Sequence, residues 1–455
     1  MGWKNFTATL AAALILALSG IVSAAAQQDL RAAPLAPVTV RSLPVHKPQS
    51  APVAKFDPVK ATNAYLAQFS GAARARSDSY FEGGYVLILV DAAYAIAVSA
   101  LLLWAGLSAG MRNIAQRVTR SRFWQVPIYV AMFVVLTTAL TFPLTLYERF
   151  FREHAYGLSN QNLAQWLGDF GTAFAVELVA TIIALTLVYA VIRASQRLWW
   201  AWATLVAVAL FAVFAAAQPV FVAPLFNHYR PLAESPLKER ILTLARANGI
   251  PADNVYEFDA SRQSKRISAN VSGLFGTTRI SLNDNLMNRS SPREIEAVLG
   301  HEMGHYVLSH VAIGLTWFGL VFLVAFLFLD RGFRALVAIF GGNWDVRSIA
   351  DPAGLPVLSA LLAFFFLIAT PVTNTISRTL ESQADIFGLN AARQPDGFAT
   401  ATLKLGEYRK LDPTPLEEFV FYDHPSGRTR IWTAMRWKAA HLGDPDIKAG
   451  PVSPQ

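Results

Sequence analysis

The chain has 455 residues, of which 54% are hydrophobic and only 15% charged; a soluble domain carries roughly a quarter charged residues, so much of this surface must face something other than water. The 39 Lys+Arg against 31 Asp+Glu leave a formal +8, and in so apolar a chain this points to basic cytoplasmic loops rather than to a nucleic-acid surface. With no cysteine, disulfide frameworks and thiolate zinc sites are excluded, and any metal must rest on histidine and carboxylate.

Residues 1–26 carry one early lysine, an apolar stretch over 8–22 and a small-residue end. That is the pattern of a signal peptide, with a first membrane span as the alternative. Residues 27–80 are expected to form a linker, punctuated by Pro34, Pro37, Pro44, Pro48, Pro52 and Pro58. Six apolar stretches follow, near 85–108, 126–146, 170–192, 198–222, 311–329 and 354–375. Each is long enough, or nearly so, to cross a hydrocarbon layer of ~30 Å. They divide the chain into a four-span membrane domain (81–222), a catalytic domain (223–310), two further spans (311–375), a second catalytic segment (376–437) and a tail (438–455). Asp91 and Glu177 lie inside spans and are read as protonated or paired carboxylates holding helices together, with a functional role as the alternative.

Arg112, Arg117, Arg120 and Arg122 follow the first span, Arg193 and Arg197 the third, and Arg331, Arg334 and Arg347 the fifth. An even number of crossings separates these loops, so all three are expected on the cytoplasmic side and the polar segments on the other (at the inner membrane, for a bacterial chain). Clustering of arginine in short loops also argues against a nucleic-acid partner.

The sequence Ser291-Pro292-Arg293-Glu294 is a capping box with proline at the first helical position. The helix it opens has apolar positions at 295, 298, 299 and 303 and carries His301-Glu302-Met303-Gly304-His305. Histidines four apart lie on one face and can share a metal ion, with Glu302 beside it as a base: the HExxH arrangement of zinc peptidases. His310 is one residue short of the metzincin third ligand and is read as a helix-end cation. Glu381 and Asp385, four apart on a helix expected to continue the sixth span, offer one carboxylate to the metal and one to a histidine N–H.

These motifs resemble the integral-membrane zinc peptidases that include the type I CAAX prenyl proteases. Ser377-Arg378, Glu381 and Ala384-Asp385 fit the pattern after the spans. Tyr147 with Glu153-His154-Ala155-Tyr156-Gly157-Leu158-Ser159-Asn160 resembles the family's loop between early spans, Pro224-Leu225-Phe226-Asn227 its entry to the catalytic domain, and Asp423-His424-Pro425 with Arg430-Ile431 its C-terminal motif. The resemblance implies His301, His305 and Glu381 as ligands of one Zn²⁺ per chain, and Glu302 as general base. It also implies Asp385 as the carboxylate behind a ligand, with His424 and Arg430 near the transition state. Spacing prefers Arg430 to Arg428. Residues 266–271 are expected to form an edge strand able to pair with a substrate backbone.

The expected fold is mainly α: a polytopic helical membrane bundle with an inserted zincin-type α+β metalloprotease domain. The expected activity is that of a membrane-embedded zinc endopeptidase acting on membrane-tethered, lipidated or unfolded proteins. CAAX-type processing and quality control of membrane or secreted proteins are the two substrate readings, and an inert membrane scaffold or transporter is the third possibility.

Overall fold

The computed structural model describes residues 56–273 and 278–450. The signal-peptide expectation for 1–26 therefore lies outside the described residues, as does most of the expected linker. The remainder of that linker is helical instead. Helix α1 (Pro58–Ala67) starts at Asp57, whose carboxylate accepts from the N–H groups of Val59 and Lys60. It buries Tyr65 and Leu66 against Phe398, Ile431 and Ala434, and the Tyr65 hydroxyl donates to Asp396 at 2.7 Å. A ten-residue amphipathic helix in a proline-rich context carries too weak a periodicity to be read from sequence.

Among the described residues, six helices are long and apolar enough to cross a membrane: α2 (Gly71–Trp104), α4 (Arg122–Ala155), α5 (Leu163–Ala194), α6 (Trp199–Leu225), and the later α10 (His310–Trp344) and α11 (Pro352–Ala392). The short α3 (Leu107–Val118) joins α2 to α4. All six expected spans are present, but several helices outrun their apolar stretches because polar turns continue the same backbone ladder. The polar start of α2 reaches the segment after the sixth span, where Glu82 pairs with Lys410 at 2.6 Å.

The Arg-bearing loops meet at the other end of the bundle. Arg112 is buried, and its guanidinium donates to Asp351 at 2.9 Å. Arg334 donates to the Gln196 carbonyl at 3.0 Å. Asp91 faces a polar cavity of about 440 Å³ that Glu148, Arg149 and Arg152 also line, whereas Glu177 is exposed on α5. Neither makes an ion pair with another described residue.

The polar segment between the fourth and fifth spans is a small sheet with helices. Strands β1 (Tyr229–Pro231), β2 (Val255–Phe258), β3 (Ala269–Ser272) and β4 (Arg279–Asn283) order as β1-β2-β4-β3. Strand β2 runs parallel to β4, and the other two pairings are antiparallel. Helices α7 (Pro236–Ala247), α8 (Asp284–Arg289) and α9 (Pro292–Val307) accompany it. Ile295, Leu299 and Met303 of α9 are fully buried in one cluster with Ile241, Val255, Ile280 and Leu282, so the apolar stripe read from the sequence faces the sheet. Strand β3 is an edge, as expected, though it begins at Ala269 rather than 266.

After α11, helices α12 (Pro395–Leu405), α13 (Pro415–Phe421) and α14 (Gly427–Ala440) complete the domain. The segment expected as a tail is packed against the domain as far as residue 447. Ile447 is buried, and Arg393 pairs with Asp444 at 2.6 Å and Asp446 at 2.7 Å. These single polar contacts carry no periodicity that a sequence would show.

Candidate metal centre

Helix α9 begins as its sequence dictates: the Ser291 hydroxyl caps the Glu294 N–H and the Glu294 carboxylate returns to Ser291 N–H. Its HExxH face is pressed against α11 through residues too small to hold the backbones apart. A Cβ on Gly388 would lie 2.7 Å from His301 N, and one on Gly304 would lie 3.0 Å from Ala384 Cα. Small residues four apart on both helices permit this approach, and the approach brings Glu381 and Asp385 to the two histidines.

Hydrogen bonding fixes which ring nitrogens are free. His301 Nδ1 donates to Asp385 at 2.8 Å, leaving an Nε2 lone pair. His310 Nε2 donates to the Gln383 side-chain oxygen at 3.2 Å, so its Nδ1 accepts from His305 Nδ1 at 2.9 Å. His305 Nε2 is then a lone pair as well. The two Nε2 atoms face each other at 3.2 Å, and Glu381 stands 3.2 Å from the first and 3.4 Å from the second.

Three donors in a triangle of this size suit a small cation. Tetrahedral coordination at about 2.0–2.1 Å separates neighbouring ligand atoms by roughly 3.3–3.4 Å. One oxygen of Glu381 is buried without a hydrogen-bond partner, an arrangement that is unfavourable unless a cation satisfies it. Burial also drives His305 down to about 4, keeping that imidazole neutral and able to ligate. For His301 burial acts in the same direction, but the carboxylates of Asp385 and Glu381 outweigh it and raise the ring to about 9, so a cation takes the Nε2 lone pair by displacing a proton from it.

Glu302 lies beside the triad in a cavity of about 240 Å³ that His424 and Arg430 also line. Burial lifts its carboxyl to about 7, within the range of a working general base. His424 Nε2 approaches Glu381 at 3.4 Å while its Nδ1 meets Asp423 at 2.8 Å. Arg430 is buried and donates to Asp385 through Nε at 3.0 Å. Arg428 turns away to Asp412 at 2.9 Å, as the spacing suggested. The residues leading into β3 are fixed by Arg266, which donates to Glu153 and to the Tyr80 hydroxyl, each at 2.9 Å.

All seven residues singled out from the sequence thus converge. His310 is a correction: it is the acceptor behind His305, not a helix-end cation, because the chain turns at Ser309 (φ 55°) and starts α10 there. Gln383 and the small-residue seam were missed, although Gly300 and Gly304 facing Ala384 and Gly388 at matching spacing offered a signal.

A helical membrane bundle that aims two imidazoles and a carboxylate at one point, beside a half-buried glutamate, defines a membrane metallopeptidase. Comparison with known proteins makes this specific. The model of peptidase family M48 matches residues 231–438, and that of the CAAX prenyl protease N-terminal region, described as five membrane helices, matches 66–228. An uncharacterised metalloprotease of Bacillus subtilis, YhfN, is 31% identical over 73% of this chain and 78% of its own. CAAX prenyl protease 1 of Saccharomyces cerevisiae is 29% identical over 67% and 70%. The crystal structure of S. mikatae Ste24p shares the fold, at 22% identity and a TM-score of 0.63 over 96% of this chain and 99% of that one. The chain belongs to peptidase family M48, in its CAAX prenyl protease branch, and is a multi-pass integral membrane metalloprotease.

Proposed function

We propose that the chain is a zinc endopeptidase in which His301, His305 and Glu381 hold one Zn²⁺ and Glu302 is the general base. The observation that carries this reading is the meeting of two Nε2 lone pairs and an unpartnered Glu381 oxygen beside Glu302. Zinc, when bound, supplies a Lewis acid that polarises the scissile carbonyl and acidifies an attacking water. Glu302 takes the proton from that water and returns one to the leaving amine. Asp385 and His310 hold the two ligand rings in their working tautomers. Arg430 pairs with Asp385 and orients it, and its charge, with the His424 ring, favours the negative charge that develops on the substrate carbonyl. A substrate backbone adds to the free edge of β3 in extended form.

The substrates are membrane-tethered or lipidated proteins. Both halves of the site are fixed to apolar helices, since His305 lies five residues before α10 and Glu381 sits on α11, and the relatives are named CAAX prenyl proteases. A second reading, quality control of unfolded membrane or secreted proteins, is favoured by the gathering of the Arg-bearing loops at the end of the bundle away from the site, which orients the catalytic domain out of the cytoplasm. Purified protein offered a prenylated CAAX peptide and an unlipidated casein separates the two. Chelator-sensitive cleavage of the peptide alone supports CAAX-type processing, cleavage of casein alone supports quality control, and cleavage of neither contradicts the peptidase reading.

A further inference from the structure

The cavity beside the metal centre holds one charge that the reading above does not use. Arg430 is paired with Asp385 and His424 with Asp423, and both already have roles in that reading. Arg409 lines the same cavity, is half-buried, and its guanidinium makes no hydrogen bond or ion pair with any described residue. The charged residues around it in sequence are committed elsewhere: Glu407 pairs with Arg289, and Lys410 with Glu82 and Glu417. Arg409 is held in place by its backbone, whose N–H donates to the Leu405 carbonyl at 2.9 Å. The wall beside it is apolar, formed by Ile267, Val298, Phe398 and Leu405.

The Asp423 carboxylate is near enough to feel the Arg409 charge but is bonded to His424, so this guanidinium in a half-apolar cavity has no anion bonded to its fork. Its planar fork matches a carboxylate, and a charge-assisted pair formed away from bulk water is stronger than one in solution. We infer that Arg409 is a specificity residue that binds a carboxylate of the peptide being cut. The source is either the free C-terminal carboxylate a short way past the scissile bond or an acidic side chain at the same place. This rests on the peptidase reading, and it deepens that reading: the site selects substrates by an anion as well as by membrane attachment.

The test uses the full-length, zinc-loaded protein in detergent and three quenched peptides of one prenylated CAAX sequence. One ends in a free carboxylate, one in an amide, and one in an amide with aspartate as the last residue. The wild type is expected to favour at least one carboxylate form over the plain amide by about 10- to 100-fold in kcat/KM, and which form wins identifies the source. Arg409→Gln should bring that ratio to about one, with Arg409→Lys in between. Binding of the same peptides to Glu302→Gln protein, read by fluorescence anisotropy, should show the same preference without turnover. A wild-type ratio near one in hydrolysis and binding, or a preference that survives Arg409→Gln, overturns the inference. Absence of all hydrolysis of these peptides would count against CAAX-type processing instead, and the binding arm would still decide the role of Arg409.

Discussion

At the scale of single residues, the centre depends on which nitrogen of each ring is left free. Asp385 and His310 set this for His301 and His305, and both are buried. Partners behind metal ligands contribute about 10- to 100-fold in metal affinity. His310→Ala should therefore weaken zinc binding by about that factor in competition with a chromogenic chelator, with His310→Gln retaining part of it; unchanged affinity would show that His305 needs no such support. Glu381→Ala should cost more, leaving zinc well below one per chain by metal analysis after dialysis, and a full complement would mean that the third ligand lies elsewhere. The sequence made Glu381 and Asp385 legible because four-residue spacing on a helix is a strong signal. It could not make His310 legible, because that role depends on the left-handed turn at Ser309, which folds the next helix back over His305.

At the scale of elements, α9 is fixed by its cap, its apolar face and its seam with α11. The cap and face could be read directly, since Ser291, Pro292 and Glu294 lie at the required positions and Ile295, Leu299 and Met303 recur at helical spacing. The seam left only a weak signal, small residues four apart at Gly300 and Gly304 and at Ala384 and Gly388, because two runs some eighty positions apart declare contact only once folded. Gly388→Val should force α9 and α11 apart and lower both zinc content and thermal stability, with Gly388→Ala milder in both. Equal stability and zinc content in Gly388→Val would contradict the seam. The cap makes a separate prediction. Burial raises the Glu294 carboxyl, but Lys404 at 2.6 Å and the Ser291 N–H more than reverse this and hold it below its ordinary value. A carboxyl lowered by folding stabilises the folded state above its unfolded pKa of about 4.3, and that contribution fades as pH falls through the folded value. Glu294→Gln should therefore be less stable than the wild type at neutral pH and lose less melting temperature on acidification below about pH 4.5.

At the scale of the whole molecule, the apolar excess resolves into six long helices, while part of the basic excess is structural. Arg112, counted among the loop charges, is buried between Asp345 and Asp351. The loops nevertheless gather at one end, which predicts a catalytic domain outside the cytoplasm. The absence of cysteine makes this direct to test. A membrane-impermeant maleimide added to intact cells, or to spheroplasts if an outer membrane is present, should label Thr243→Cys on α7 and spare Gln116→Cys on α3. The reverse pattern would place the site in the cytoplasm. The central claim is that Glu302 acts on substrate at a zinc held by other residues. The measurement that tests it most directly is peptide hydrolysis by Glu302→Gln protein verified by metal analysis to carry one zinc per chain. The account predicts full zinc with cleavage lost by a factor of at least about 10³; zinc-loaded Glu302→Gln protein that still cleaves at the wild-type rate would contradict it.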